Sequence, residues 1–308
     1  MKFRAAVVQT SSVPFNKPAS VDKVVGLIHE AAATGAKLLV FPEALISGYP
    51  KGADFGARVG GRLPRGREDF LRYFDSAVDV PGPEISLLAD AAREAGVHVV
   101  AGVIEREIGT LYCTAVFLSP EGKLLGKHRK LMPTAMERLV WGYGDGSTMP
   151  VFDTPLGKLG AVICWENYMP LMRMGMYGKG IQLYCMPTAD DRESWIATAR
   201  HVAMEGRCFV LTACQYATRG QYPDDFDAIQ GNAPDVVLLQ GGSAIINPFG
   251  EILAGPNYEG ECILHAEIDL DDVARGKFDF DVVGHYARPD VFRLTVDETA
   301  KPAVKWER

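Results

Sequence analysis

The sequence predicts an α/β fold: a large mixed sheet system with helices packed outside it. Three observations point there. Apolar runs of strand length alternate with helix-periodic segments through the first two thirds of the chain. Turns of the form Pro-x-Gly join further apolar runs into hairpins. No Pro/Gly/Ser-rich linker, low-complexity segment or repeat beyond those turns interrupts the 308 residues, so one domain over 1–308 is expected, with a polar tail from about residue 289. Chains of this length often divide in two, but α/β folds commonly span it as one unit.

The elements follow in order. Phe3–Gln9 is the first strand. Ser20 is the expected cap of a helix over Val21–Ala33, with Val24, Val25, Ile28 and Ala32 on one face and Gly35 ending it. Lys37–Phe41 is a strand stopped by Pro42. Ser86–Ala95 is the next helix, closed by Gly96, and Val97–Val103 the strand after it. Strands at Leu159–Ile163, Ile181–Met186 and Phe209–Ala213 follow, with a helix over Trp195–Glu205 whose Trp195, Ile196, Ala199, Val202 and Ala203 form one stripe. The hairpin turns are Pro120–Lys123, Pro155–Lys158 and Pro248–Glu251. Gln221–Gly242 reads as a long loop, and the tail after Arg288 as a segment available to a partner subunit.

Composition excludes several classes of function. With 47% hydrophobic and 23% charged residues the chain is not disordered. A net charge of −7 argues against nucleic acid or an anionic membrane as partner. No apolar run reaches the roughly 18 residues of a membrane span. The six cysteines lack paired spacing and the N-terminal apolar stretch is too short for a signal peptide, which points to a reduced, cytoplasmic protein.

Three positions can carry chemistry. Cys164 stands where the apolar strand Gly160–Ile163 gives way to polar residues, the place where α/β folds present reactive groups. A buried inert thiol is the competing reading, and it suits Cys185, Cys208 and Cys214. Glu43 follows directly on a strand buried on both faces, either as a turn cap or as an acid/base. Lys130 ends the run Lys127-His128-Arg129-Lys130 before Leu-Met-Pro. It is either part of a solvated basic edge or turned inward, where it would stabilise developing negative charge.

Together, Phe41-Pro42-Glu43, His128-Arg129-Lys130-Leu131-Met132-Pro133-Thr134 and Cys164-Trp165-Glu166-Asn167, in that order, resemble the nitrilase superfamily of carbon–nitrogen hydrolases. The spacings are 87 and 34 residues, and the resemblance extends from Phe3 to about Arg293. It implies a four-layer α-β-β-α sandwich, Glu43, Lys130 and Cys164 as a catalytic triad, and Glu137 as a second, supporting glutamate that orients Lys130, shares proton transfer or serves only as an ion-pair partner. Trp165-Glu166-Asn167, Glu137–Gly142, Gly144–Ser147, Pro187–Arg192 and Gly284–Asp290 look like the wording of the true nitrilase branch, which includes cyanide-degrading relatives. The tail beyond is shorter than in many members.

The implied reaction takes a nitrile and water to a carboxylic acid and ammonia through a cysteine-bound thioimidate and thioester. It needs no metal or organic cofactor, and His98, His128 and His201 lack ligand spacing. Tyr49, Thr134, Trp165 and Thr188 flank the motifs and are candidate substrate-binding walls, with core packing as the competing reading. An amidase or carbamoylase, or a cyanide hydratase or dihydratase, could use the same triad; a redox or interaction protein on the same scaffold is a more remote reading. A homo-oligomer is expected from the resemblance.

Overall fold

The computed structural model describes residues 1–306 and contains two six-stranded sheets. In spatial order the first holds Cys262–Asp269, Lys2–Gln9, Ala36–Val40, His98–Glu107, Thr110–Leu118 and Leu124–Arg129. The second holds Ile252–Asn257, Ser243–Ile246, Phe209–Cys214, Leu183–Thr188, Gly157–Ala161 and Val151–Thr154. Each sheet has a parallel centre of three strands and antiparallel flanks. Parallel centres are covered on both faces, which is why their strands are apolar without alternation.

The first strand shows how the layers form. Ala5 and Val7 point into the core between the sheets, where they meet Leu38, Ile163, Leu183 and Leu211. Ala6 and Val8 point the other way, toward Val24 and Ile28 of helix Lys17–Ala33 and Leu88 of helix Pro83–Ala95. On the outer face of the second sheet, Met176 of helix Pro170–Gly178 and Trp195, Ala199 and Val202 of helix Glu193–Gly206 pack on Val162, Tyr184 and Val210. The order is helices, sheet, sheet, helices: the expected α-β-β-α sandwich.

All three Pro-x-Gly segments join antiparallel neighbours, and Gly96 caps its helix at φ 63° as expected. The first helix starts earlier than expected. Asn16 caps it by accepting a hydrogen bond from Ala19 N at 3.1 Å, and Pro18 occupies its first turn. Ser20 lies inside that helix, where its hydroxyl donates to Val13 O at 2.9 Å. Helices Arg65–Ser76, Pro170–Gly178 and Asp271–Asp279 were not expected. The first and last are charge-rich with few buried positions, so apolar periodicity does not mark them. The loop 221–242 contains strand Val237–Gln240, paired with Tyr216–Thr218. The tail folds back on its own chain, where Lys301 N donates to Asp145 Oδ2 at 2.7 Å. All six cysteines are free, and among the described residues no helix is long and apolar enough to cross a membrane.

Candidate active site

The candidate residues leave from the C-terminal ends of strands, three of them parallel central strands and one, Leu124–Arg129, an antiparallel edge strand. Glu43 follows Ala36–Val40, Lys130 follows Leu124–Arg129, Cys164 follows Gly157–Ala161, and Thr188 ends Leu183–Thr188. The Glu43 loop lies directly on strand His98–Glu107, with Gly102 N donating to Pro42 O at 3.1 Å and Leu45 N to Gly102 O at 2.9 Å. A Cβ on Gly102 would meet Pro42 O at 2.2 Å and Glu43 Cα at 2.7 Å. Only glycine lets the base-bearing loop settle this closely.

Cys164 sits at a sharp elbow with φ 51°, a left-handed conformation costly for a side chain with a Cβ. The elbow is held from behind by its two polar neighbours. Asn167 Nδ2 donates to Val162 O at 3.0 Å and to Cys164 O at 2.8 Å. Glu166 Oε2 accepts from Ile163 N at 2.9 Å and lies 2.9 Å from His128 Nε2, while its Oε1 accepts from Leu131 N at 2.6 Å. Glu166 thereby ties the cysteine elbow to the strand and turn that carry Lys130. His128, expected to be structural, is fully buried in this clasp.

At the centre, Lys130 Nζ donates to Glu43 Oε1 at 2.6 Å and to Glu137 Oε2 at 2.7 Å. Glu43 and Lys130 are sealed from solvent, which excludes the basic-edge and turn-cap readings. Burial raises the Glu43 carboxyl above its ordinary value, although the Lys130 charge pulls it down. Burial works against the Lys130 ammonium, but Glu43 foremost holds it charged, well above the ordinary lysine value. Cys164 is pushed well above a normal thiol, mainly by burial and then by Glu43, with Lys130 and the Thr188 hydroxyl opposing. Burial and the neighbouring carboxylate thus both favour the neutral thiol at Cys164 over the thiolate. Glu43 Oε2 has no hydrogen-bond partner, whereas Oε1 is occupied by Lys130 and by the Cys113 thiol at 3.4 Å.

The candidate wall residues divide. Thr188 donates to Cys164 Sγ at 3.2 Å, so it touches the thiol itself. Tyr49 lines the cavity and donates to Glu137 Oε1 at 2.7 Å. Trp165 stands at the mouth, its Nε1 donating to Asp190 Oδ2 at 2.8 Å and its ring beneath the Arg192 guanidinium. Thr134 does not line the cavity; its backbone N–H donates to Glu137 Oε2 at 2.6 Å, so it supports the glutamate. The cavity over Cys164 measures about 180 Å³ and is bounded also by Lys51, Ala189, Asp190 and Asp191. Sequence reasoning did not assign a role to Cys113, to Gln215, which donates to Glu43 O at 2.8 Å, or to Asp190. No spacing marks the first two, because they arrive by strand register from 70 and 172 residues away. Among the described residues, no three His, Cys, Asp or Glu side chains form a metal-binding group.

Comparison with known proteins agrees with this geometry. The sequence profile described as Carbon-nitrogen hydrolase matches residues 4–278. An aliphatic nitrilase of Sinorhizobium fredii is 60% identical over 98% of both chains. A bifunctional nitrilase/nitrile hydratase, NIT4B, of Nicotiana tabacum is 54% identical over 98% of this chain and 88% of its own. In fold, the chain is similar to a carbon–nitrogen hydrolase from Helicobacter pylori, with a TM-score of 0.75 at 20% identity over 94% of this chain and 97% of that one.

Proposed function

Because the chain belongs to the carbon–nitrogen hydrolase family, in its nitrilase branch, we propose that it hydrolyses a small organic nitrile to the carboxylic acid and ammonia through a covalent adduct on Cys164. One observation carries the mechanism: a buried carboxylate, Glu43, whose Oε1 is held by a charged lysine while Oε2 is free to accept a proton.

Glu43 takes the proton of Cys164 as sulfur attacks the nitrile carbon, and the Thr188 hydroxyl supports the charge on sulfur. Glu43 hands this proton to the nitrile nitrogen, giving a thioimidate and freeing the carboxylate. Glu43 then takes a proton from a water whose oxygen adds to the same carbon and passes it to the nitrogen. Lys130 stabilises the tetrahedral species; as the C–N bond breaks, Glu43 moves the remaining hydroxyl proton to nitrogen, so that ammonia leaves and a thioester remains. A second water, activated in the same way, releases the acid and restores the thiol. Glu137, held by Tyr49 and Thr134, fixes the Lys130 ammonium from the opposite side.

We read residues 1–308 as one catalytic unit of a homo-oligomeric cytoplasmic enzyme, with six free thiols supporting a reducing compartment. Ammonia release across a graded panel, from short aliphatic nitriles to arylacetonitriles with cyanide and the matching amides beside them, tests the proposal. The expected result is ammonia from at least one class of nitrile. Ammonia from amides and from no nitrile would contradict it.

A further inference from the structure

Of the two groups bonded to the Glu43 carboxylate, Lys130 and the thiol of Cys113, the reaction just described leaves Cys113 unused. It lies on strand Thr110–Leu118, in register with Ile104, and is almost fully buried. Two contacts distinguish it from the other structural thiols. Its Sγ is 3.4 Å from Glu43 Oε1, and its carbonyl accepts the backbone N–H of Lys130 at 2.8 Å. One residue thus touches both the base and the lysine, by side chain and by main chain.

We propose that Cys113 is a positioning residue for this reaction: its thiol fills Oε1 of Glu43 alongside Lys130 and so keeps Oε2 as the oxygen that takes the proton from Cys164. The inference rests on the proposed covalent mechanism. A carboxylate oxygen has about two acceptor sites, and Lys130 takes one of them on Oε1. With the second filled, exchange of roles between the two oxygens by rotation of the carboxylate would break two hydrogen bonds. Cys113 is suited to donate, because burial foremost, and then Glu43, hold it as a thiol. The titratable groups facing Glu43 are Lys130, Glu137, Tyr49, Cys164, Cys214 and Cys113 itself. Of the six, Lys130 and Cys113 donate to its carboxylate. Loss of a donor to the ionised form makes the base easier to protonate, so the acid limb of activity moves to higher pH.

The test compares wild type with Cys113→Ala, Cys113→Val and Cys113→Ser, each confirmed as folded by thermal melting. The profile of kcat/KM for a short aliphatic nitrile is measured against pH, together with the pH profile of Cys164 alkylation by iodoacetamide, read from the mass of its peptide. Ala and Val are expected to move the acid limb upward by roughly half to one pH unit, a roughly three- to tenfold loss below the limb, while Ser, which keeps a donor, retains the wild-type limb. Val fills the volume without the donor and decides the matter if Ala does not fold. An unmoved limb in the donor-less variants, or an equal shift in Ser, would reduce Cys113 to packing and overturn the proposal. A wild-type protein inert toward every nitrile would instead refute the nitrile reading, and the alkylation profiles would still decide the role of Cys113.

Discussion

Two buried carboxylates, Glu43 and Glu105, receive cations from the same short segment, and they end up with opposite characters. Strand Leu124–Arg129 alternates its faces, so Lys127 and Arg129 reach Glu105 while Lys130, just beyond the strand end, reaches Glu43. Glu105 is saturated. Its Oε1 takes Lys127 and Arg129 Nη2, and its Oε2 takes Arg129 Nε at 2.9 Å and Thr114 Oγ1 at 3.0 Å. Glu166, on the cysteine elbow, likewise has partners on both oxygens. Glu43 keeps one oxygen, Oε2, without a partner. A saturated carboxylate holds elements together; a half-satisfied one retains basicity that can be spent on a proton.

Substitutions can break that contrast in order of size. Cys164→Ala removes the nucleophile, and ammonia release should fall to the uncatalysed level; normal turnover would exclude the covalent route. Glu43→Gln keeps the shape but removes the base, and kcat should drop by about a thousandfold, within the range general-base removal usually costs. Thr188→Val removes the hydroxyl donated to Sγ, with an expected loss in kcat of roughly three- to tenfold. Glu105→Gln should leave kcat within about twofold while lowering stability by about 2–3 kcal/mol, read as a Tm several degrees lower, since Lys127 loses its counter-charge in a partly buried place and Arg129 keeps only the exposed Glu107.

The same contrast has a signature in pH. Glu43 must be ionised to act, and burial holds it above the usual glutamate value. The rate should therefore be complete above its raised pKa and be lost as pH falls through it, at higher pH than an exposed glutamate of roughly pKa 4.3 would give. A kcat/KM profile flat down to the ordinary carboxylate range would show that the base is not buried as described.

Much of this arrangement is legible in the sequence. Apolar runs without alternation announce strands covered on both faces, and the polar residues at their C-terminal ends announce the site. Glu43 and Cys164 stand out because each ends such a run, whereas Lys130 ends a basic run and is joined to them only by the resemblance to the family. Their partnership could not be read from spacing alone, because Lys127 to Lys130 looks the same whether its cations face water or carboxylates. The register that sends Lys127 and Arg129 one way and Lys130 another is fixed by pairing with Thr110–Leu118. Thr134 was misread for a related reason: proximity in sequence to Lys130 places it near the site, but what it offers is a backbone N–H. The clasp of Glu166 and Asn167 was visible only as wording, since its hydrogen bonds go to main-chain atoms and leave no pattern of partners.

The most direct test follows acylation of Cys164 itself. Wild type, Glu105→Gln and Glu43→Gln proteins are mixed with excess of a short nitrile, quenched in acid at successive times, and the Cys164 peptide is weighed. Wild type and Glu105→Gln should gain the acyl mass at the same rate, and Glu43→Gln about a thousandfold more slowly. An adduct that forms as fast in Glu43→Gln as in wild type would contradict the assignment of the open oxygen as the base.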